Sequence, residues 1–346
     1  MQESLDSTEV YRRFQLIANG PALFNAVVSG IELNIFDFLA ERGGADATEL
    51  RDFTGMEAHK LRVLMLGLVT TGLVEKRGID YVNHPVAAEL LGTSGPESWR
   101  HILLSWKTIY YPAFARMTAA LGAGTNDALD AIAGSEPTLY ERLGHDPELA
   151  RIFYSAMSAF SLQTMPGLLA HLDVKSTKRL LDVGCGDGTT SAALLKDNPG
   201  LTATLLDLPS IVELAEQRLP GEVTDRITLR GADILHDEFP TGADHALFSH
   251  VLDTFSAEQS VMLLSKAFEV LPSGGKISIY GFAAADDESG GPLAARLSLY
   301  LNILATGRGM AWPQAEAVAW LKSVGCIDIR TVELPYEHAL VSGTKP

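Results

Sequence analysis

Two short stretches hold the residues whose types and spacing could do chemistry. In LLDVGCGDGTT, Leu180 to Thr190, a β-rich run ends at Val183, and Gly184, Gly186 and Gly188 follow at alternate positions. Glycine there permits a tight strand-to-helix turn whose backbone can close on a ligand. Asp207 ends the next apolar run, where a carboxylate can hydrogen-bond a ribose diol. GADIL adds Asp233, suited to an adenine amino group, and Ile234, suited to packing on the ring; Asp182 stands just before the loop. The spacing lacks the third-glycine interval of the dinucleotide fingerprint. These acids and glycines suit a cationic, phosphate-free nucleoside better than a pyrophosphate. The second stretch is HVLDTFSAEQ, His250 to Gln259. Asp253 follows an apolar run, where an enzyme of this pattern should carry a catalytic base. His250 is the other candidate, because an imidazole titrates near working pH.

The elements that position these residues change character along the chain. After Lys178, the runs RLLDV, TATLLDL, ITLRGAD, ALFSHV and GGKISIYGF alternate with helical stretches such as TTSAALLKD and SIVELAEQRL. That alternation predicts an α/β, Rossmann-like parallel sheet with helices on both faces. Before about residue 170 the rhythm is helical. FNAVVSGIELNIFDFLAE, residues 24–41, is expected to be one helix with Val27, Val28, Ile31, Leu33, Ile35 and Leu39 on its buried face. ATELRDFTG and MEAHKLRVLMLGLVTTGLVEKRG read as two further helices, and YVNHPVA as a small strand, a helix-turn-helix with a wing. Three segments follow: a mostly helical, winged-helix-like domain over 1–100, a helical connector over 101–170 and the Rossmann-like domain over 171–346. The run GAGTNDALDAIAGSEP, 122–137, is expected to be a mobile connection.

Composition removes some functions. The 346 residues are 47% hydrophobic and 20% charged, an ordinary globular balance, with a net charge of −16 that repels phosphate backbones and anionic membranes. A winged helix could read DNA, but Asp46–Leu91 holds five basic residues (Arg51, Lys60, Arg62, Lys76, Arg77) against seven acidic ones. A DNA-binding wing would be basic, so no nucleic-acid partner is expected. The N-terminus is acidic rather than basic-then-apolar, and no unbroken run of 18 apolar residues occurs, so no signal peptide, membrane span or membrane partner is expected. Cys185 and Cys326 are far apart and form no metal spacing. A reduced, cytoplasmic protein fits these features.

LLDVGCGDG, LLDLP, GADIL, ALFSHVLDTFSAEQ and LPSGGKI, in this order and spacing, resemble the class I small-molecule O-methyltransferase family over nearly the whole chain. The resemblance implies S-adenosyl-L-methionine as cofactor and a homodimer built through an N-terminal winged-helix dimerisation domain. By it, Gly184, Gly186, Asp207, Asp233, Ile234 and Ser249 map onto cofactor-binding positions. Members that methylate a hydroxyl read L-H-D-W after the fourth strand, with the histidine as base. Here VLDTF puts Asp253 at the histidine, Thr254 at the aspartate and Phe255 at the tryptophan. An orienting acid at the end of the fifth strand falls on Gly281, and GRGMAWP supplies none before the last helix. The base and both of its orienting groups are absent together.

An aspartate with pKa near 4 is a poor base for a phenol of pKa about 10 unless burial raises it. It is better suited to holding an acceptor N–H or O–H and stabilising positive charge while a carbon attacks. Carbon methylation is therefore favoured over oxygen. The resemblance extends to carbon-methylating members such as the bacteriochlorophyllide C-20 methyltransferases, whose D-H-L-L-V is similar to EHALV here. The acceptor, a small aromatic or heterocyclic molecule of natural-product type, is expected against Trp106, Tyr110, Met157 and Phe160, with Asn302 as polar anchor. A metal bridging His250 and His338 lacks supporting carboxylate spacing, and none is expected. The alternatives are an oxygen or nitrogen methyltransferase with an unusual base, and a cofactor-binding hydroxylase or pericyclase that transfers no methyl.

Overall fold

The helix expected over residues 24–41 is interrupted at Asn34. Asn34 adopts a left-handed conformation (φ 54°), which asparagine tolerates, and separates a long helix, Ser7–Glu32, from a short one, Ile35–Arg42. The computed structural model describes residues 6–91, 95–288 and 291–346, and the chain divides into two units, Met1–Lys107 and Thr108–Pro346.

In the first unit, helix Ala47–Thr54 begins at a capping box formed by Asp46 and Glu49. Helix Ala58–Thr70 stops two residues before Gly72, whose φ of 75° ends the run. VEKR, expected to continue that helix, is instead strand β1 (Val74–Arg77), paired antiparallel with β2 (Asp80–Asn83). Ile31, Ile35, Phe36, Leu50, Met65 and Leu68 fill this unit's core. Val10, Tyr11, Phe14, Leu16 and Ile17, on the long helix, are 51–76% exposed. By length and composition alone, Ser7–Glu32 is long and apolar enough to cross a membrane. Scattered polar residues hid it from a search for an unbroken apolar run, and 22% of its most apolar window is buried within the protein.

In the second unit a seven-stranded sheet runs β5-β4-β3-β6-β7-β9-β8: β3 (Arg179–Val183), β4 (Thr202–Asp207), β5 (Ile227–Gly231), β6 (His245–Ser249), β7 (Lys276–Phe282), β8 (Ile327–Leu334) and β9 (His338–Thr344). The first five are parallel, and β9 joins β7 antiparallel. Leu180, Leu205 and Leu247 enter one apolar cluster, whereas Leu181, Leu206 and Phe248, each one residue further on, enter another. Successive strand residues face opposite sides, so a sheet covered on both faces needs continuous apolar runs. Each fully buried leucine contributes about 2 kcal/mol.

The run 122–137, expected to be mobile, is folded. It holds a 3-10 turn, Asp127–Ala131, with Ala128, Leu129 and Ile132 buried. The buried Arg142 guanidinium donates to the carbonyls of Leu129 (2.8 Å), Ile132 (2.6 Å) and Glu136 (2.9 Å). Composition suggested mobility, but one arginine satisfies the carbonyls that would otherwise need water.

Candidate active site

The order of the strands makes a crevice. From β3 the chain builds outward through β4 and β5, then returns to the other side of β3 for β6 and β7. The loops leaving β3 and β6 therefore diverge past the carboxyl ends of the strands, where ligands of such sheets bind. A cavity of about 420 Å³ lies there.

Gly184, at the end of β3, has φ 71°, and a Cβ on it would stand 2.4 Å from Cγ2 of Val251 on the opposite side of the crevice. Glycine is required by the backbone angle and by the close approach. Gly186 has φ 57°, and a Cβ there would meet no atom within 4 Å, so its backbone borders open cavity. The loop is pinned from within. Gly186 N–H donates to Asp207 Oδ2 at 2.8 Å, and Leu208 N–H donates to Oδ1 at 2.7 Å. Asp187 is held by Ser158 Oγ and by Arg218 at 3.0 Å. Burial raises Asp207 to about 6, and likewise Asp182 to about 6.

The six residues mapped onto cofactor positions, Gly184, Gly186, Asp207, Asp233, Ile234 and Ser249, all line this cavity. Asp233 also accepts from the Leu235 N–H at 2.9 Å and pairs with the His236 ring at 2.7 Å. Partial burial pulls its pKa up, but those two hydrogen bonds outweigh it and hold the carboxyl below its usual value. The donor set fits a phosphate-free nucleoside bearing positive charge. Acids surround it, the Gly186 N–H that might bind phosphate is already used, and Asp182 Oδ1 is buried with no hydrogen-bond partner among the described residues. An ammonium group would satisfy that oxygen.

Asp253 reaches the cavity from a 3-10 turn, Leu252–Thr254, between β6 and helix Ala257–Val270, which opens with a capping box of Ser256 and Gln259. The turn is clamped from behind: Thr306 Oγ1 donates to Thr254 O at 2.6 Å, and Trp312 Nε1 to Phe255 O at 3.2 Å. Asp253 Oδ1 is enclosed and has no hydrogen-bond partner among the described residues. Burial raises this carboxyl to about 7, which corrects the expected value near 4. Sequence could place the aspartate but not the desolvation around it.

His250 lines the same cavity with φ 55°. Its Nε2 lies 2.9 Å from Nε2 of His338, and His338 Nδ1 lies 2.7 Å from the Tyr336 carbonyl. The carbonyl can only accept, so His338 carries its proton on Nδ1 and His250 donates from Nε2. Burial, then the neighbouring His338, pushes His250 well below the usual imidazole range. It is held neutral with its tautomer fixed, which makes it a weak base. The described residues contain no group of three metal-ligating side chains.

Tyr110, Met157 and Phe160 line the cavity. Trp106 and Asn302 do not. Trp106 belongs to the first unit and sits edge-on to Trp99, ring centroids 6.1 Å apart. Asn302 lies on a π-helical turn, Leu301–Ala305, that continues helix Pro292–Tyr300. Arg296, Leu297, Tyr300 and Leu301 of this helix line the cavity, and at 100° per residue Asn302 falls beyond that arc. The polar group on this face is therefore Arg296. Sequence reasoning also missed Tyr140, Tyr154 and Tyr300. Their only signal was to be tyrosines in helical stretches, which reads equally well as core.

Residues 114–326 match the O-methyltransferase domain, and residues 16–93 match the O-methyltransferase dimerisation domain. The chain is 32% identical to an L-tyrosine C(3)-methyltransferase of Streptomyces lavendulae, over 88% of this chain and 84% of that one. It is 30% identical to a 3-hydroxy-5-methyl-1-naphthoate 3-O-methyltransferase of Streptomyces sahachiroi, covering 95% and 94%. Among solved structures it resembles the apo form of the S-adenosylmethionine-dependent methyltransferase SibL, with a TM-score of 0.83 and 31% identity over 96% of this chain and 99% of that one.

Proposed function

This chain belongs to the S-adenosylmethionine-dependent O-methyltransferase family, and we propose that it methylates a ring carbon of a small phenolic acceptor, next to the hydroxyl. It is a small-molecule methyltransferase of natural-product type. The Gly184–Gly186 loop, Asp207, Asp233 and Ile234 would hold the cofactor, which would supply a methyl group made electrophilic by a sulfonium.

The observation that carries the reading is the Asp253 carboxyl, enclosed at the cavity wall and raised to about 7. A phenol ionises near 10, so full proton transfer to Asp253 is uphill by about 4 kcal/mol. The hydroxyl stays hydrogen-bonded to the carboxylate. Its oxygen is occupied, and the electron density it donates appears on the neighbouring ring carbon. That carbon takes the methyl as the methyl's bond to the sulfonium sulfur breaks, and the ring C–H proton is then lost to water, which restores the aromatic ring. Tyr110 and Phe160 offer faces for a flat ring, and His250, neutral and tied to His338, leaves Asp253 as the acid–base group. The L-tyrosine relative, named for carbon methylation, supports the reading.

Oxygen methylation is the second reading. A carboxyl near pKa 7 is in the range of a working base, and the naphthoate relative is named for it. Enzyme supplied with deuteromethyl cofactor and phenolic acceptors separates the two: the label on a ring carbon supports the first, and a labelled methoxy group overturns it.

Asp207→Ala should weaken binding of S-adenosylhomocysteine at least tenfold, about 1.4 kcal/mol, because the variant loses both a ligand hydrogen bond and the anchor of the Gly186 N–H. Calorimetry that finds equal affinity would remove the ribose role.

We also propose a homodimer through the N-terminal helices. The support is the match to the dimerisation domain and the exposed row Val10, Phe14 and Ile17, which water penalises. Light scattering should report twice the chain mass, and Ile17→Glu should reduce it to a monomer; a monomeric wild type at micromolar concentration would refute the assignment.

A further inference from the structure

Asp253 and His250 border a second, smaller cavity of about 40 Å³ in addition to the large one. Gly281 near the end of β7, Trp312, and Gln314 at the start of helix Gln314–Ser323 close other sides of it. A water needs roughly 10–15 Å³ of such space, so about two or three fit. Most polar side chains along it are spent elsewhere. Trp312 Nε1 donates to the Phe255 carbonyl, Tyr280 Oη to the Thr164 carbonyl at 3.2 Å, and His250 Nε2 to His338. Two groups are left. Oδ1 of Asp253 is enclosed without a partner among the described residues, and the half-buried Gln314 carboxamide makes no hydrogen bond among them. Gly281 keeps the space open. Its φ is not positive, and a Cβ there would stand 3.6 Å from His250 Cα, an ordinary contact, so neither backbone angle nor close approach requires glycine.

We propose that Gln314 is a positioning residue: its amide holds a water in the small cavity, and that water donates a hydrogen bond to the Asp253 carboxylate. This rests on the reading of Asp253 as the acid–base group and deepens it. An ionised carboxylate only accepts, so whatever fixes it must bring a proton. A water does so with one O–H while its oxygen accepts from the Gln314 N–H. The contact favours the charged form of Asp253 and holds the carboxylate plane still while it meets the acceptor. The other charged and titratable groups that face Asp253 are His250 with its partner His338, Tyr110, Tyr140, Tyr280 and Arg296. The two imidazoles are held neutral, Tyr110 and Tyr280 are raised to about 12, Tyr140 is raised likewise, and Arg296 stays positive, so none of them changes charge near pH 7. Asp182 and Asp207, raised to about 6, line the large cavity as well, and the test subtracts them.

The test reads the ionisation of Asp253 without an acceptor. Melting temperature is followed from about pH 5 to about pH 9 for the full-length enzyme and for Asp253→Asn, and the difference between them isolates this carboxyl. Because its folded pKa is raised, that difference should fall as pH rises and level off near 7. Gln314→Leu, made in both backgrounds, removes the donor and should move the levelling point up by about one pH unit. Gln314→Glu, which sets a like charge opposite, should move it at least as far. Gly281→Val fills the cavity from another element and should give the same shift, with none further in the double variant; Gly281→Ala takes its place should valine prevent folding. Unchanged S-adenosylhomocysteine affinity shows that each variant is folded. A levelling point that stays put in Gln314→Leu would overturn the proposal. So would a shift in Gln314→Leu with none on filling the cavity, or two shifts that add, since the amide would then act without the water. Turnover keeps the two readings apart. If the levelling point shifts while kcat/KM keeps its pH profile, Asp253 is not the acid–base group and the Gln314 contact stands. If kcat/KM loses its pH dependence in Asp253→Asn but neither Gln314→Leu nor the filled cavity moves either profile, the reverse holds.

Discussion

Asp253→Asn should lower kcat about a hundredfold and abolish a pH dependence of the wild type. Asparagine keeps the shape and one acceptor oxygen but loses the charge that draws density into the ring, and removing such an electrostatic contact typically has an effect of this size. Only the ionised carboxylate serves. With its pKa near 7, wild-type kcat/KM should fall about tenfold for each pH unit below 7 and level off above it, whereas the variant should be flat through this range. Stability should move the other way. The folded pKa lies above the unfolded one, so the folded state holds the proton more tightly. The stabilisation is complete below about pH 4 and is lost as pH rises through 7. At pH 8 the wild type buries an incompletely satisfied charge, and Asp253→Asn should melt at a higher temperature. A variant with wild-type turnover would make Asp253 a bystander; an unchanged pH profile would assign the titration to another group.

Gly309→Ala should cost activity at least as heavily without touching any side chain at the site. A Cβ on Gly309 would fall 2.1 Å from the backbone oxygen of Asp253 and 2.8 Å from the carbonyl carbon of Thr254. These are main-chain atoms of a turn already clamped by Thr306 and Trp312, so the turn must move as a body. A displacement near 1 Å commonly costs about a hundredfold where alignment drives the reaction. S-adenosylhomocysteine affinity should change far less, because the glycine loop and Asp207 lie on other strands. Normal turnover by Gly309→Ala would show that the position of Asp253 is not critical.

That the residues proposed to hold the cofactor line one cavity was legible because it is written in local chemistry. Glycines at 184 and 186 answer to φ angles, and Asp207 and Asp233 to strand ends, all within about 50 residues of chain. The acceptor half was legible only in part. Tyr110, Met157 and Phe160 reach the cavity, but Trp106 and Asn302 do not, since which face of a helix meets a cavity depends on partners distant in sequence. Arg296 was overlooked for the same reason. The parallel sheet was implied by the alternation after Lys178, whereas the antiparallel pair β8 and β9 was not, β8 being an edge strand whose residues are mostly exposed. The run 122–137 looked loose because its order is supplied by Arg142, outside the run. The pKa of Asp253 is a property of its surroundings, and no reading of VLDTF alone could yield it.

The π-helical turn at Leu301–Ala305 bears on how such an enzyme could change its substrate over evolutionary time. A π turn is one residue longer than the α turn it replaces. Deleting a single residue there would restore regular winding, leave Arg296 and Tyr300 on their present face, and leave the chain beyond one residue shorter in its reach. Thr306, which anchors the Asp253 turn, would be carried away with it. One codon lost would uncouple the cavity face of the helix from the turn that carries Asp253, and one codon regained would rejoin them. Length variation at this point, more than substitution of pocket side chains, is where new acceptor preferences should arise.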